Sequence, residues 1–321
     1  MKENKKNPLV CIIIVNWNGG ETIEKCIKSL KITSYPNYRI IVVDNASTDD
    51  SIKKLKKINP KIEVIYLDKN YGCSPGRNVA ISLLMKDKKM KYICLMDSDI
   101  ITIQKNWLDV QINELEKKED YGISGGKLVF PDGRLQVLVR KNRKSFKEKD
   151  RNQYNFVTET FAVWGACMII KRRVIETIGF LDENFFYGPD DVDYCYRAKN
   201  AGFKIIYNGF SKSIHVGAFS GLSPKRDYIY RQQAEGMMIY AFRHFNISQK
   251  AFMVIRQFIR AFITRKDPFS NQSLKNTIFH KTFLKRIGLF TIALKESLKN
   301  NKIIKLNVVD LKGVKFESLK C

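Results

Sequence analysis

Tyr92-Ile-Cys-Leu-Met-Asp-Ser-Asp99 is a run of apolar residues followed at once by two carboxylates one residue apart. A buried strand that stops in Asp-Ser-Asp places two hard oxygen ligands at the mouth of a sheet. A divalent cation that also takes phosphate oxygens suits such a pair. An ordinary strand end and turn use the same residue types, so the neighbouring segments have to decide between the two readings.

Those segments alternate. Val10–Val15, Arg39–Val43, Ile62–Leu67 and Tyr92–Met96 are uninterrupted apolar or β-branched runs of strand length. Between and after them, Glu21–Lys31, Ser51–Ile58, Gly76–Met85 and Trp107–Lys117 read as helices; in the first, Ile23, Cys26, Ile27 and Leu30 fall on one face. Strand-helix alternation with continuous apolar strands implies a parallel sheet covered on both faces. Each strand ends in a polar loop: Asn16-Trp-Asn-Gly-Gly20, Asp44-Asn-Ala-Ser-Thr-Asp49, Asn70-Tyr-Gly-Cys-Ser-Pro-Gly-Arg-Asn78 and Asp97-Ser-Asp99. Ligands of open parallel sheets bind outside the carboxyl ends of the strands, so this edge is the expected site.

The loops exclude two common nucleotide sites. There is no Gly-x-x-x-x-Gly-Lys-Ser/Thr, and no Gly-x-Gly-x-x-Gly follows the first strand. Asp44 can accept hydrogen bonds from a base or ribose, or cap a helix or Asx-turn. Arg77 and Asn78 open a helix, where a cation and backbone N–H groups favour phosphate; Arg77 can equally pair with a carboxylate at the same edge.

Farther on, Gly126–Phe130 and Leu135–Val139 flank Pro131-Asp-Gly133 and read as a hairpin. Lys141–Tyr154 is a charged loop expected to cover the site. Trp164–Ile170 reads as a buried strand, and Phe203–Tyr207 as another. Phe185-Phe-Tyr-Gly-Pro-Asp-Asp-Val-Asp193 leads into a helix that ends at Gly202. Its carboxylates can complement the helix dipole, or one of them can act as a general base.

Taken in order, these segments resemble a family 2 glycosyltransferase of the GT-A fold, especially the rhamnosyltransferase-like branch. The resemblance rests on Val10–Asn18, Val42–Asp49, Asn70–Asn78, Asp97–Asp99, Asp132-Gly133, Trp164–Ala166, Phe180–Glu183 and Asp190–Asp193, spanning roughly 9–217. It implies inverting transfer of a sugar from a nucleotide-diphosphate donor to a saccharide or lipid-linked acceptor, in surface polysaccharide or glycolipid synthesis. Residue by residue, it implies that Asn16 and Asp44 hold the base and ribose, with Val15 and Asn45 beside them. Gly72, Arg77, Asn78, Asp97 and Trp164 complete the donor site. Asp97 and Asp99 match the family's Asp-x-Asp and would hold Mn²⁺ or Mg²⁺, with His215 as a third ligand. Asp191 matches the usual base. Asp190 stands where the family has Glu, which leaves the role between Asp190 and Asp191.

The 321 residues carry a net charge of +25. From Ser223 to Cys321 there are 20 Lys and Arg against 6 Asp and Glu, so +14 of that charge lies in the last third. The expected division is a catalytic domain over 1–222, with its nucleotide-sugar half near 1–100 and its acceptor half near 101–222, and a basic helical region over 223–321. There, Ile229–Phe245 and Ala251–Thr264 read as helices. The second carries Phe252, Ile255, Phe258, Ile259 and Phe262 on one stripe beside Arg256 and Arg260. An anionic membrane surface and the catalytic domain are both suitable partners for that stripe.

The seven cysteines form no Cys-x-x-Cys pair and lie mostly in apolar runs, as core residues of a reducing compartment do. No stretch reaches the roughly 18 apolar residues of a spanning helix, and Met1–Asn7 runs into a strand without a signal-peptide core. The expectation is a cytoplasmic protein, peripheral on the inner face of the membrane. Two other classes follow from single features. Charge alone would make a nucleic-acid-binding protein, but no specific nucleic-acid motif supports it. A sugar nucleotidyltransferase on a related sheet would want a Gly-rich phosphate loop after the first strand.

Overall fold

A computed structural model describes residues 7–20, 22–58, 62–136, 154–216, 226–246, 248–249 and 315–318. Four strands, β1 (Leu9–Asn16), β2 (Tyr38–Asp44), β3 (Ile62–Tyr66) and β4 (Met90–Asp97), come from the first hundred residues. They pair in parallel in the order β3-β2-β1-β4. Helices α1 (Ile23–Leu30), α2 (Ser51–Lys57) and α3 (Cys73–Leu84) connect them.

The two-residue period of a strand explains why the runs are continuous. Val10, Ile12 and Ile14 of β1 pack into one hydrophobic cluster with Ile23, Cys26, Ile27 and Leu30 of α1. Cys11 and Ile13 point the other way, into a second cluster with Val79, Ala80 and Leu84 of α3. β4 divides likewise, Tyr92, Cys94 and Met96 to one face and Ile93 and Leu95 to the other. Fully burying each large aliphatic side chain contributes about 1.5–3 kcal/mol, so a polar residue on either face would forfeit a core contact.

Beyond β4 the sheet becomes mixed. The remaining elements are β5 (Ile100–Thr102), α4 (Trp107–Leu115), β6 (Tyr121–Val129), β7 (Val157–Thr160), β8 (Cys167–Lys171), α5 (Arg172–Ile178), α6 (Asp190–Asn200), β9 (Lys204–His215), α7 (Arg226–His244) and β10 (Lys315–Ser318). The strand order is β10-β3-β2-β1-β4-β8-β6-β9-β5, with β7 on β9. β8 enters antiparallel between β4 and β6, and β6 and β9 are parallel to each other. α4 covers the α1 face; α5 and α6 cover the α3 face. The α/β class expected from the sequence is the one observed.

Several boundaries differ from expectation for local reasons. α3 starts at Cys73 rather than Gly76, because Gly72 adopts φ 98° and turns the chain into the helix. Pro75 is tolerated there, since the first-turn N–H groups have no intrahelical partner. β9 extends to His215, eight residues past the expected strand end. Its register on β6 shifts between Gly126 and Lys127, where Gly126 faces Asn208 and Lys127 faces Lys212. The strand continues past Asn208–Ser211, where the register shifts, and pairs with β5.

The hairpin after β6 is present as Phe130 N–H to Arg134 C=O (2.8 Å) and a bridge between Val129 and Leu135. Its second arm beyond Gln136, most of the Lys141–Tyr154 loop, and Ala251–Thr264 lie outside the described residues. β10 pairs antiparallel with β3, a strand in a region read from the sequence as helical.

The chain divides into two units, one of 1–182, 191–217 and 308–321, the other of 183–190 and 218–307. In the second, the guanidinium of Arg243 on α7 lies 5.8 Å from the Phe185 ring centre, and the Tyr240 ring lies 5.7 Å from that of Phe245.

One polar contact ties the first unit across a long sequence distance. The buried Asn78 carboxamide on α3 donates to Leu181 C=O (2.8 Å) and accepts from Leu181 N–H (3.1 Å). Replacing Asn78 by alanine leaves both buried backbone groups without these partners, at about 1–3 kcal/mol for an unsatisfied group. We expect Asn78→Ala to lower the urea midpoint by the equivalent of about 2–3 kcal/mol, with an unchanged m-value. A loss below about 0.5 kcal/mol would show that Leu181 finds other partners.

Candidate functional site

Register places four of the expected residues side by side. Asn16 lies opposite Asp44 in the β1–β2 ladder, and Val15 opposite Asp97 in the β1–β4 ladder. Parallel pairing thus delivers the carboxyl ends of β1, β2 and β4 to one edge, beside the first turn of α3.

At the β1–β2 end, Asn16 and Asp44 are both buried. Asn16 Nδ2 donates to Asp44 Oδ1 (2.9 Å) and to Ser47 Oγ (3.0 Å). Ser47 donates its hydroxyl to Asp44 Oδ1 (2.6 Å) and its N–H to Asp44 Oδ2 (3.1 Å). Asp44 therefore shapes the loop after β2, the turn role left open by the sequence. Asn16 Oδ1 is buried without a hydrogen-bond partner, an acceptor facing no donor of the protein. Asn45 joins this loop to α3, donating from Nδ2 to Gly72 C=O (2.8 Å).

At the β4 end, Arg77 is 3% exposed. Its Nη2 donates to Asp97 Oδ1 (2.8 Å) and to Gly165 C=O (3.0 Å). The local ion pair is thus the arrangement found for Arg77. Asp97 N–H donates to Ala166 C=O (3.0 Å), fixing the strand end against the turn before β8.

Asp97, Asp99 and His215 form the one cluster of metal-type ligands among the described residues, with one atom from each lying within 4.8 Å of the others. β9 and β5 bring the histidine there: His215 pairs with Ile100, and Val216 N–H donates to Asp99 C=O (3.0 Å). His215 Nε2 lies 3.3 Å from Asp99 Oδ1, and Nδ1 lies 2.7 Å from Gln136 Oε1. Burial opposes the charged imidazole, but the hydrogen bond and charge of Asp99, aided by Asp97, outweigh it and raise the His215 pKa. Both ring nitrogens face acceptors, so a neutral ring satisfies only one of them. Either a proton or a cation fits between Nε2 and the carboxylates. Two carboxylates and one imidazole form a donor set suited to Mn²⁺, and their hard oxygens also suit Mg²⁺.

The other expected carboxylates head α6. Asp191 Oδ2 accepts from Gly165 N–H (2.7 Å), and Oδ1 accepts from Val192 N–H (2.8 Å). Asp193 instead binds Arg197 (2.8 Å), whose other nitrogens reach Ile178 and Phe180 carbonyls, so it belongs to the packing of α6. Asp190 is buried at the first position of the helix. Gly165 has no room for a side chain: a Cβ there would lie 2.9 Å from Asp191 Cβ and 3.2 Å from Arg77 Nη1. Its peptide groups link Asp191 on one side to Arg77 and Asp97 on the other.

Trp164 donates its indole N–H to Gln136 C=O (3.2 Å). Asn78 makes the Leu181 contacts described above. Gln136 and the peptide groups of Gly165 are the two site elements missed in the sequence. Gly165 was visible only as a small residue between Trp164 and Ala166, and Gln136 carried no signal.

The glycosyl transferase family 2 model matches residues 11–179, just over half of the chain. Among curated relatives, the glycosyltransferase TuaG of Bacillus subtilis, named for teichuronic acid biosynthesis, is 31% identical over 130 residues, covering 39% of this chain and 50% of that protein. The O-antigen biosynthesis protein RfbC of Myxococcus xanthus is 24% identical over 240 residues, covering 69% of this chain and 18% of that protein. The chain spans 24%, 50% and 58% of the length of three curated relatives that it matches. Two solved structures share the fold at 14% identity, each covering 92% of this chain. The mannosyltransferase PcManGT of Pyrobaculum calidifontis, solved with GDP-Man and Mn²⁺, has a TM-score of 0.53 and is covered over 74% of its length. GalNAc-T7, solved with UDP, GalNAc and Mn²⁺, has a TM-score of 0.57 and is covered over 58%. With the Asp-x-Asp strand end, the mixed α/β sheet and the family match over 11–179 all in agreement, the chain belongs to glycosyl transferase family 2 and has the GT-A fold.

Proposed function

We propose that this chain is an inverting glycosyltransferase that moves a sugar from a nucleotide-diphosphate donor to a hydroxyl of a saccharide or lipid-linked acceptor. The observation that carries the reading is the arrangement about Gly165. A cation-type cluster lies at the end of β4, and a carboxylate at the head of α6 is held by the same glycine that anchors Arg77. Displacement at a sugar carbon needs those two chemistries on opposite faces, as the paired carboxylates of inverting glycosidases illustrate. The names of the relatives, teichuronic acid and O-antigen biosynthesis, support surface polysaccharide or glycolipid as the product class.

In this reading Asn16 and Asp44, with Val15 and Asn45, form the base and ribose end. The partnerless Asn16 Oδ1 supports that assignment, since a buried acceptor is stabilised by a donor from the ligand. Asp97, Asp99 and His215 would hold Mn²⁺ or Mg²⁺, which when bound stabilises the negative charge of the departing nucleoside diphosphate. Arg77 fixes one oxygen of Asp97, so the carboxylate cannot rotate freely. Asp191 accepts the acceptor hydroxyl's proton as the new carbon–oxygen bond forms and the bond to the diphosphate breaks, inverting the anomeric carbon. Its two backbone N–H contacts hold the carboxylate in one orientation. Asp190, buried beside it, is the second candidate for the base.

The +25 charge supports a peripheral role at an anionic membrane surface, where a lipid-linked acceptor would lie. Among the described residues no helix is long and apolar enough to cross a membrane.

A thermal-shift panel of nucleoside diphosphates and their sugars, with and without Mn²⁺, tests the reading. We expect one nucleotide to stabilise the protein only with Mn²⁺ present, and Asp99→Ala to abolish that shift. A shift that survives in Asp99→Ala removes the metal assignment. With the donor so identified, Asp191→Asn should keep the shift and lower sugar transfer by about 10²–10⁴-fold. Wild-type transfer rates in Asp191→Asn would move the base to Asp190.

A further inference from the structure

We infer that Gln136 is a positioning residue for the cation cluster: it selects the tautomer of His215 that leaves Nε2 free to ligate. The inference rests on the reading of His215 as a ligand. It assigns to Gln136 a role that nothing in its local sequence announces.

A neutral imidazole carries one N–H and one lone pair, and the partner of one nitrogen decides what the other can do. Both ring nitrogens face oxygens that can only accept, but the Gln136 carboxamide oxygen lies 2.7 Å from Nδ1 whereas Asp99 Oδ1 lies 3.3 Å from Nε2, so the shorter contact places the proton on Nδ1. The Nε2 lone pair then faces Asp99, on the side where Asp97 completes the cluster. If the carboxamide were reversed, its NH₂ would donate to Nδ1 and drive the proton onto Nε2. His215 would then donate to Asp99, and a cation could bind Nε2 only after that proton had moved. The orientation of one amide thus separates a metal ligand from a structural histidine.

Gln136 is well held for this task. Its N–H donates to Leu128 C=O (2.9 Å) on β6, and its C=O accepts the Trp164 indole N–H (3.2 Å). Both peptide groups are therefore engaged by separate elements, which restricts where the side chain can point. The backbone of His215 is fixed in turn by its pairing with Ile100 on β5. Outer partners of metal-ligating histidines commonly alter metal affinity by about 10–100-fold when removed. By the same geometry Trp164 acts on the cluster through Gln136, whatever else it touches.

The test uses the full-length chain labelled with ¹⁵N-histidine, which has three histidines, with the His215 signals identified by their loss in His215→Ala. Long-range proton–nitrogen spectra without metal, at alkaline pH where the ring is neutral, read the tautomer. Titration with Mn²⁺ alone, followed by the electron spin resonance of the free ion, reads the affinity. We expect the Nδ1–H tautomer in the wild type, its loss as the dominant form in Q136L, and a fall in Mn²⁺ affinity of about 10–100-fold in Q136L. Q136E restores an acceptor and should keep the Nδ1–H tautomer; thermal midpoints near wild type show that both variants are folded. An Nε2–H tautomer in the wild type, or unchanged tautomer and affinity in Q136L, overturns the inference. Undiminished Mn²⁺ binding in His215→Ala overturns instead the reading of His215 as a ligand. Reduced binding there with unchanged binding in Q136L overturns the role of Gln136 alone.

Discussion

A guanidinium that is 3% exposed has to be paired, and the pairing of Arg77 organises the rest of this molecule. Its Nη2 binds both the Asp97 carboxylate at the end of β4 and the carbonyl of Gly165 before β8. An isolated buried charge would cost several kcal/mol, so those partners cannot drift without penalty. The constraint reaches further because Gly165 N–H holds Asp191 and Trp164 holds Gln136. Two carboxylates of opposite assignment and the histidine partner are thus referred to one buried cation on α3.

Much of this could be read from the sequence because the signals were strong and local. Continuous apolar runs gave β1 to β4, and their polar ends gave the site edge. The identities of Asp97 and Asp99 followed from a strand stopping in two carboxylates. His215 was harder. It reaches the cluster only because β9 continues through Asn208–Ser211 with a register shift and then pairs with β5, and no local pattern announces either event. β10 was unreadable for a related reason: its partner β3 lies far away in sequence, and a four-residue strand has too short a period to recognise.

The residues assigned to the donor show a different difficulty. Residue type at a strand end or helix start indicates what a side chain can bind, not what already occupies it. Asp44 shapes its loop through Ser47, and Asn78 clamps Leu181. Both obey the rule that buried polar groups are hydrogen-bonded within the fold before any ligand arrives. The cysteines follow an equally local rule. Burial pushes the Cys11, Cys26 and Cys195 thiols up, Cys11 and Cys195 to about 12, so they remain protonated packing residues, as their apolar surroundings indicated.

The antiparallel pairing of β10 with β3 has a consequence for the order of synthesis. Residues 315–318 emerge roughly 250 residues after the strand they cover, which at about 5–20 residues per second is a delay of some 10–50 seconds. The strands of the parallel core β3-β2-β1-β4 have all emerged well before then. In that interval residues 315–318 are not yet there to pair with the outer edge of β3, and an uncovered strand edge is a template for pairing with another strand. The arrival of β10 covers that edge with a four-residue strand, which itself becomes the last strand on that side of the sheet.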